Sequence, residues 1–148
     1  MDLGFYTTTF ENQAKDWAIR KSQALRNLQE LKTKGNSEIK AVVSKYELDF
    51  EYVKEILNIK EFDKINDDWI DFVLQNRKQT NLVHNYDIVI GEVANDKVFK
   101  AIEYYTDGVI TREQLKEQLK YKEENNQVSF HTMESLKLLK FLESYEVS

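Results

Sequence analysis

The sequence predicts an α+β fold in a single domain. Segments with the alternation typical of strands are interspersed with segments whose apolar residues recur at helical spacing. Several successive strands are separated by short turns, which favours hairpins over a doubly wound parallel sheet. The length of 148 residues is that of one domain with one substantial core.

The composition narrows the classes of function. Hydrophobic residues make up 41% and aromatic residues 12% of the chain, which indicates a folded protein despite 32% charged residues. A net charge of −5 argues against general nucleic-acid binding. With no Cys and two His far apart in sequence, we expect no metal site and no thiol nucleophile. No signal-peptide pattern or membrane-spanning run occurs, so we expect a cytoplasmic protein without membrane contact.

The first strand and the first helix are predicted close to the amino terminus. Leu3–Thr7 is rich in aromatic and β-branched residues, as strands are. Thr8 and Glu11 have the spacing of a capping box, so a helix is expected from about Phe10 to Leu31, with Gly35–Asn36 as its stop signal. The apolar stripe of this helix consists of Ala14, Trp17, Ala18, Leu25, Leu28 and Leu31.

Two strands and one clear helix are predicted in the middle of the chain. Ile39–Leu48 alternates as a strand does. Val53–Ile59 fits either a second strand or a helix, and we favour the strand. Asp63–Arg77 is an amphipathic helix with acids near its start and basic residues at its end, as the helix dipole prefers. The side chains expected to face the core are those of Ile65, Trp69, Phe72 and Val73.

A polar loop and a central strand follow. Lys78–Asn85 is the loop, in which we expect His84 to be solvated. Tyr86–Ala94 is apolar nearly throughout, as is typical of a strand covered on both faces. Gly91 within it indicates a bulge or a close approach of the backbone. Asp87 is interpreted either as a ligand contact or as an acid at the strand edge.

The carboxyl-terminal part predicts three helices and two strands. Asn95–Asp96 caps a helix that ends at Asp107–Gly108, and Thr111 with Gln114 forms a second capping box. The last elements are a strand at Gln127–His131 with Val128 and Phe130 inward, a short helix from Thr132 to about Leu139, and a strand at Lys140–Val147.

Two aromatic residues near the amino terminus form the candidate binding site. Tyr6 leaves the first strand and Trp17 lies in the first helix, so the two rings flank one cleft at the strand-to-helix turn. A flat cationic ring such as nicotinamide would be held there by stacking and cation–π attraction. Thr7 and Thr8 place backbone and hydroxyl donors at the same corner. The alternative is that Trp17 is an ordinary core residue of the apolar stripe.

Three blocks of the sequence resemble a bacterial family of unknown function that is placed among the ADP-ribosyltransferase-like folds. The blocks are Gly4–Thr8, Tyr86–Asp96 and Gln127–Thr132, in the family's order. The first block is also similar to the poly(ADP-ribose) polymerase and diphtheria-toxin branch. There a glycine, an apolar residue and a tyrosine end a strand, and a helix follows with a small residue and a second aromatic. The matching residues here are Gly4, Phe5, Tyr6, Ala14 and Trp17.

The resemblance implies a mixed, mostly antiparallel β core with flanking helices, and NAD as a substrate. It implies transfer of ADP-ribose to a protein or nucleic-acid target. In active members a Glu holds the ribose hydroxyl and stabilises developing positive charge, and Gln127 stands at that catalytic position. A Gln side chain can donate or accept a hydrogen bond with a ribose hydroxyl, but it carries no charge. The alternative is that Gln127 is only the first residue of a strand. The residues implied in NAD binding are Gly4, Phe5, Tyr6, Thr7, Thr8 and Trp17.

Two departures from the pattern of the fold support a second hypothesis. Members normally begin with a strand whose His or Arg anchors the nicotinamide ribose, and Met1-Asp2-Leu3 leaves no room for it. We therefore expect residues 1–148 to be one domain truncated at its amino terminus. Gln127 also replaces the charged Glu. The alternative function is a non-catalytic relative that binds a nucleotide-like ligand or a protein partner.

Overall fold

The chain alternates between short strands and helices. The structure, a computed structural model, describes residues 4–32, 38–62, 65–78, 84–92, 96–119 and 125–148. The helices in these ranges are α1 (Glu11–Lys32), α2 (Phe50–Ile56), α3 (Asp67–Lys78), α4 (Asp96–Thr106), α5 (Arg112–Leu119) and α6 (Met133–Leu136). The strands are β1 (Phe5–Thr7), β2 (Ala41–Glu47), β3 (Ile59–Glu61), β4 (Ile88–Gly91), β5 (Gln127–Phe130) and β6 (Lys140–Val147).

The strands form two sheets. The larger has four strands in the order β1-β5-β4-β3, and β2 pairs with β6 in the smaller. Pairing is antiparallel between β1 and β5, between β4 and β5, and between β2 and β6, whereas β3 and β4 are parallel. Within the described residues, the predicted α+β class with a mixed, mostly antiparallel sheet and flanking helices is therefore confirmed.

The first hydrophobic core lies where α3, α4 and α5 meet the four-stranded sheet. Its buried residues are Phe62, Trp69, Ile70, Val98, Ala101, Ile102, Leu115 and Leu119, all at most 6% exposed. The predicted core stripe is confirmed, because the side chains of residues 65, 69, 72 and 73 all belong to this cluster. A Cβ at Gly91 would lie 3.4 Å from the Phe62 ring and 3.5 Å from Trp69, which are ordinary van der Waals distances, so neither the bulge nor the close approach expected at Gly91 is confirmed.

The second core lies on the other face of the same sheet. Its buried residues are Val53, Ile88, Val128 and Phe130. Val128 and Phe130 therefore point inward as predicted, and they do so because alternate residues of β5 face the same side. β4 lies between β3 and β5 and contributes to both cores, so its prediction as a strand covered on both faces is confirmed.

The strand predicted at Val53–Ile59 is wrong. Phe50–Ile56 forms α2, and β3 begins only at Ile59. The carboxylate of Asp49 accepts a hydrogen bond from the Tyr52 amide at 3.2 Å and caps the helix. Val53 of this helix is 1% exposed and packs in the second core, whereas Ile56 in its last turn is 50% exposed.

The first helix has its predicted bounds to within one residue but differs from its prediction in its cap and along its stripe. The Thr8 hydroxyl accepts from the Phe10 amide at 3.1 Å, and the Ala14 amide donates to the Phe10 carbonyl. The helix thus begins after Phe10, and Thr8 closes a turn instead of capping the helix with Glu11. Leu25 and Leu28 are 43% and 47% exposed, so the apolar stripe does not continue into a core. The helix packs instead against β2, whose Ala41 and Val43 are buried.

Two helix starts near the carboxyl terminus are confirmed. Thr111 and Gln114 form a reciprocal capping box, with the Thr111 amide 2.8 Å from the Gln114 side chain and the Gln114 amide 3.2 Å from the Thr111 hydroxyl. Thr132 caps α6 through the Ser135 amide, and the helix ends at Leu136, before the predicted Leu139. Some predicted features lie outside the described residues, namely Leu3, Gly35–Asn36, Asp63, residues 93–95 and the side chains of Leu31 and Arg77.

An ion-pair network joins α3 to α5. The Arg112 guanidinium contacts the Asp71 carboxylate at 2.9 Å and the Asp67 carboxylate at 3.2 Å. Lys116 reaches the second oxygen of Asp67 at 2.9 Å. Hydrogen bonds from Lys116 and then Arg112 lower the pKa of Asp67, and hydrogen bonding to Asp71 and Tyr105 raises the pKa of Arg112. The network holds the two helices over the first core.

Candidate functional site

A cleft of about 220 Å³ lies between the end of β1, the amino-terminal half of α1 and β2. Tyr6 and Trp17, the two aromatic residues expected to flank a cleft, both line it. The described residues that line it are Tyr6, Thr7, Thr8, Ala14, Trp17, Ala18, Lys21, Val42, Val43 and Ser44. The strand-to-helix turn thus brings the predicted pair together around open space.

One face of α1 forms a long wall of this cleft. Its residues occupy positions i, i+3, i+4 and i+7, which places them on one side of the helix. They are Ala14, Trp17, Ala18 and Lys21. The two alanines leave room beside the larger Trp17. The Trp17 side chain is 37% exposed, so its alternative interpretation as a core residue is wrong.

The other aromatic wall, Tyr6, packs against His131. The two ring centroids are 6.2 Å apart in an edge-to-face arrangement. A Cβ at Gly4 would lie 3.0 Å from His131 Cε1 and 3.2 Å from Tyr6 Cζ, so a larger residue there would displace one of the two rings by a few tenths of an ångström. His131 Nε2 lies 2.9 Å from the Ser129 hydroxyl, which itself donates to the Val89 carbonyl at 3.2 Å. The position of the Tyr6 ring is therefore set by His131, which follows β5 and is itself held by Ser129 of β5.

The two histidines of the chain lie together. The ring centroids of His84 and His131 are 4.6 Å apart in an edge-to-face contact. His84 also contacts the rings of Phe72 and Tyr86 at 5.4 and 5.6 Å. The expectation that His84 is solvated is wrong, because its side chain is half-buried and packs against these rings. These rings connect the wall of the cleft with the first core.

The corner between β1 and α1 is tied to the turn before β5 by Asn126. Its side-chain oxygen accepts from the Thr8 hydroxyl at 2.6 Å and from the Thr9 amide at 3.0 Å, and its side-chain nitrogen donates to the Thr9 hydroxyl. The Gln13 side chain donates to the Asn126 carbonyl at 2.8 Å and accepts from its amide at 3.1 Å. These bonds hold Asn126, the residue before Gln127, against the corner of the cleft at Thr8.

Gln127 lies on the same face of the large sheet as Tyr6. Tyr6 pairs with Ser129, and Gln127 is two residues from Ser129 on β5. Opposite residues in a sheet point to the same side, as do residues two apart on one strand. Such diagonal neighbours are about 7–8 Å apart. The candidate catalytic residue and the candidate stacking residue thus lie on adjacent strands and share one face.

Two other residues implied in NAD binding are engaged within the protein. Phe5 lies on the opposite face of β1 from Tyr6, with ring contacts to Tyr46 at 5.8 Å and to Phe130 at 6.3 Å. The Thr7 hydroxyl donates to the Val128 carbonyl at 2.8 Å. Thr7 still lines the cleft, whereas Phe5 packs toward the second core.

Asp87 has a role within the fold. Its carboxylate accepts from the Asn58 amide at 2.9 Å and from the Thr132 hydroxyl at 2.7 Å. Its backbone carbonyl accepts from the His131 amide at 2.8 Å. Of the two interpretations of Asp87, the acid at the strand edge fits these contacts, because they join the start of β4 to the residue before β3 and to the residues after β5.

A hydrogen bond between Tyr145 and Glu11 ties the start of α1 to β6. The hydroxyl lies 2.8 Å from the carboxylate. This bond is the main reason that the pKa of Glu11 is lowered and the pKa of Tyr145 is raised. Together with the packing of α1 on β2, it holds the helical wall of the cleft in place.

Sequence reasoning missed three residues that shape the cleft. Lys21 follows Trp17 by four residues, so helical spacing alone would have placed it beside the ring. Asn126 and His131 contact residues more than a hundred positions earlier in the chain. No local pattern predicts contacts over that separation.

No helix within the described residues is long and apolar enough to cross a membrane. The same residues contain no group of three or more His, Asp or Glu side chains that could hold a metal ion.

Comparison with known proteins identifies a family. The family described as "Protein of unknown function (DUF3990)" matches residues 2–141, which is nearly the whole chain. No curated protein and no solved structure matches the chain. The match to the family includes both Tyr6 and Trp17 of the cleft as well as Gln127. The chain belongs to the DUF3990 family.

Proposed function

We propose that this protein is an ADP-ribosyltransferase-like protein that binds NAD, with the nicotinamide ring between Tyr6 and Trp17. The observation that carries the proposal is that both aromatic side chains line one cleft. Nicotinamide in NAD is a flat cationic ring, and aromatic faces attract such rings by stacking and by cation–π interaction. The blocks that resemble ADP-ribosyltransferase-like folds supply the choice of NAD among flat cationic ligands.

The size of the cleft indicates which part of NAD it holds. Pockets that enclose a drug-sized ligand have volumes of about 300–1,000 Å³, whereas this cleft has about 220 Å³. The cleft therefore fits the ring and its ribose, and the rest of the dinucleotide lies outside. The Tyr6 ring is already held by His131 in the free protein, which reduces the ordering cost of binding.

The reaction that this geometry supports is cleavage of the bond between nicotinamide and ribose, with transfer of ADP-ribose to a macromolecular target. Positive charge develops on the ribose as the bond breaks, and a group that stabilises this charge raises the rate. Gln127 is the proposed residue at this position because it shares a sheet face with Tyr6. Its amide oxygen offers a dipole where a carboxylate offers a full negative charge.

A second candidate function follows from the identity of that residue. With an amide at position 127, the protein is a non-catalytic relative that binds NAD or a similar nucleotide as a ligand-binding or interaction module. Binding at Tyr6 and Trp17 is common to both candidates. Turnover distinguishes them.

Calorimetric titration with NAD tests binding. Trp17→Ala and Tyr6→Leu each remove one ring from the cleft, and each should weaken NAD binding about five- to tenfold, since one aromatic or cation–π contact is worth on the order of 1 kcal/mol. Leu28→Ala is the matched control on α1, because Leu28 is 47% exposed and does not line the cleft. Equal affinities in all four proteins, or no binding by the native protein, would refute the proposed site.

Nicotinamide release tests the reaction. Native protein should release nicotinamide slowly or not at all, and Gln127→Glu should raise the rate at least about tenfold by placing a charge beside the developing cation. Gln23→Glu is the control, since Gln23 is exposed on α1 and the change of net charge is the same. Rapid turnover by the native protein would refute the non-catalytic alternative. No gain in Gln127→Glu would show that residue 127 does not face the reacting bond.

A further inference from the structure

Among the described residues that line the cleft, the one cation is Lys21, at the end of the helical wall. Lys21 lies four residues, or about 6 Å of helix rise, beyond Trp17 on the same face of α1. Ala18, which lines the cleft between Trp17 and Lys21, is small and leaves the space between these two side chains open. A ligand ring stacked on Trp17 therefore has a positive charge about one sugar unit away.

No carboxylate of the described residues lies within ion-pair distance of Lys21. Five other lysines with described side chains have a carboxylate within 4.0 Å, namely Lys15, Lys40, Lys54, Lys60 and Lys116. Among the described residues, Lys21 has no such contact. The chain has a net charge of −5, so acidic side chains are plentiful on its surface. An unpaired lysine inside the cleft is thus available to an anionic ligand.

We propose that Lys21 binds the diphosphate of a dinucleotide whose nicotinamide ring lies between Tyr6 and Trp17. This inference rests on the proposed function and names the part of the ligand that lies outside the enclosed space. A lysine ammonium is a compact point charge that suits phosphate oxygens without demanding one fixed geometry. The cleft then selects ligands that join a flat cationic ring to an anionic group through one sugar.

The inference predicts an order of affinities among fragments of NAD. Nicotinamide riboside has the cationic ring and the ribose but no phosphate, so it engages only the two aromatic walls. Nicotinamide mononucleotide adds one phosphate, and NAD adds the diphosphate. Affinity should rise along this series, and the gain should shrink with added salt because an exposed ion pair is screened.

Titration of this series into native protein, Lys21→Gln and Arg20→Gln tests the inference. Arg20 is the adjacent residue on α1, is exposed and does not line the cleft, so its variant has the same loss of charge. Lys21→Gln should weaken NAD binding about three- to tenfold, the range for an exposed to partly desolvated charged contact. The same variant should leave nicotinamide riboside binding unchanged, and Arg20→Gln should change neither.

The outcomes separate this inference from the proposed function. Selective loss of NAD affinity in Lys21→Gln supports the diphosphate contact. If both ligands bind native protein and Lys21→Gln behaves like Arg20→Gln, the diphosphate contact is refuted while the aromatic cleft stands. If neither ligand binds native protein, the proposed function fails, and the inference fails with it.

Discussion

The two tryptophans of the chain lie in helices that are used in opposite ways. Trp69 of α3 is 3% exposed and is surrounded by α4, α5 and the large sheet, whereas Trp17 of α1 is 37% exposed and lines a cleft. Both follow an apolar spacing typical of a core-facing helix. The difference lies in what covers them. An apolar helix face becomes core where other elements close over it, and a binding wall where only one side is covered.

The two tryptophans indicate that one region of the molecule determines its stability and another binds ligands. The region of α3, α4 and α5 contains the larger of the two buried clusters among the described residues, so truncations there should lower the free energy of unfolding strongly. The region of β1, α1 and β2 exposes Trp17, Leu25 and Leu28, so changes there should affect ligands more than stability. Each variant below tests this separation, from the largest expected effect to the smallest.

Truncation of the two tryptophans gives the largest contrast. Trp69→Ala should lower the free energy of unfolding by about 3–5 kcal/mol, the range for large aromatic truncations in a core. Trp17→Ala should change it by less than about 1 kcal/mol, as is usual at exposed positions. Urea unfolding followed by circular dichroism measures both. Similar losses in the two variants would contradict the division of the molecule into a core region and a binding region.

Removal of the Asn126 side chain tests how firmly the cleft is attached to β5. Asn126→Ala deletes three hydrogen bonds that join the turn before Gln127 to Thr8 and Thr9. A lost neutral hydrogen bond costs about 0.5–1.5 kcal/mol, and partial exposure lets water replace some of them, so a total of about 1–2 kcal/mol is expected. Asn27→Ala, an exposed site on α1, is the control. A loss no larger than that of the control would show that Asn126 does not hold the corner.

A methyl group at position 4 tests whether the Tyr6 ring is positioned by packing. Gly4→Ala places a Cβ 3.0 Å from His131 and 3.2 Å from Tyr6, so one of the two rings must shift by a few tenths of an ångström. The expected destabilisation is about 1 kcal/mol, the scale of mild overpacking. The loss of binding free energy for nicotinamide should be larger than the loss of unfolding free energy. Unchanged affinity, measured by calorimetry, would show that small movements of Tyr6 do not matter.

Acid titration gives the smallest effect and concerns the core region. The pKa of Asp67 is lowered from its ordinary value of 3.8 by Lys116 and Arg112, so its carboxylate stabilises the fold above that value. This stabilisation is lost as pH falls through the lower pKa of the folded state. Lys116→Gln should raise the pKa of Asp67 toward 3.8 and reduce the acid-dependent loss. Carboxyl chemical shifts followed by NMR from pH 6 down measure this. An unmoved midpoint would contradict the network.

Local patterns predicted the fold well where a helix and its caps act alone. The stripe around Trp69 and the capping box of Thr111 and Gln114 both follow from residues within one helix. The prediction failed at Val53–Ile59, because the apolar residues in this short segment fit the period of a helix as well as that of a strand. The helix cap at Asp49 distinguishes the two. Short helices depend on their caps and on tertiary contacts more than on pattern.

The candidate site was only partly predictable. The Tyr6 and Trp17 pair was expected because one turn separates the two elements that carry it. The contact of His131 with both Tyr6 and His84 joins residues of β1, β5 and the segment before β4. The Asn126 contacts likewise arise only when β1 and β5 become neighbours. These features follow from the order of strands in the sheet, which a single sequence does not specify.

Fluorescence of proteins with one tryptophan tests the central claim most directly. The chain has two tryptophans, so Trp69→Phe leaves Trp17 as the only emitter and Trp17→Phe leaves Trp69. Titration with NAD should quench the emission of the protein that retains Trp17, to saturation, because the nicotinamide ring stacks on that indole. ATP, which has no nicotinamide, should leave the emission unchanged. Two results would contradict nicotinamide binding in this cleft. One is constant emission from the protein that retains Trp17 when NAD is added, and the other is quenching by NAD only in the protein that retains Trp69.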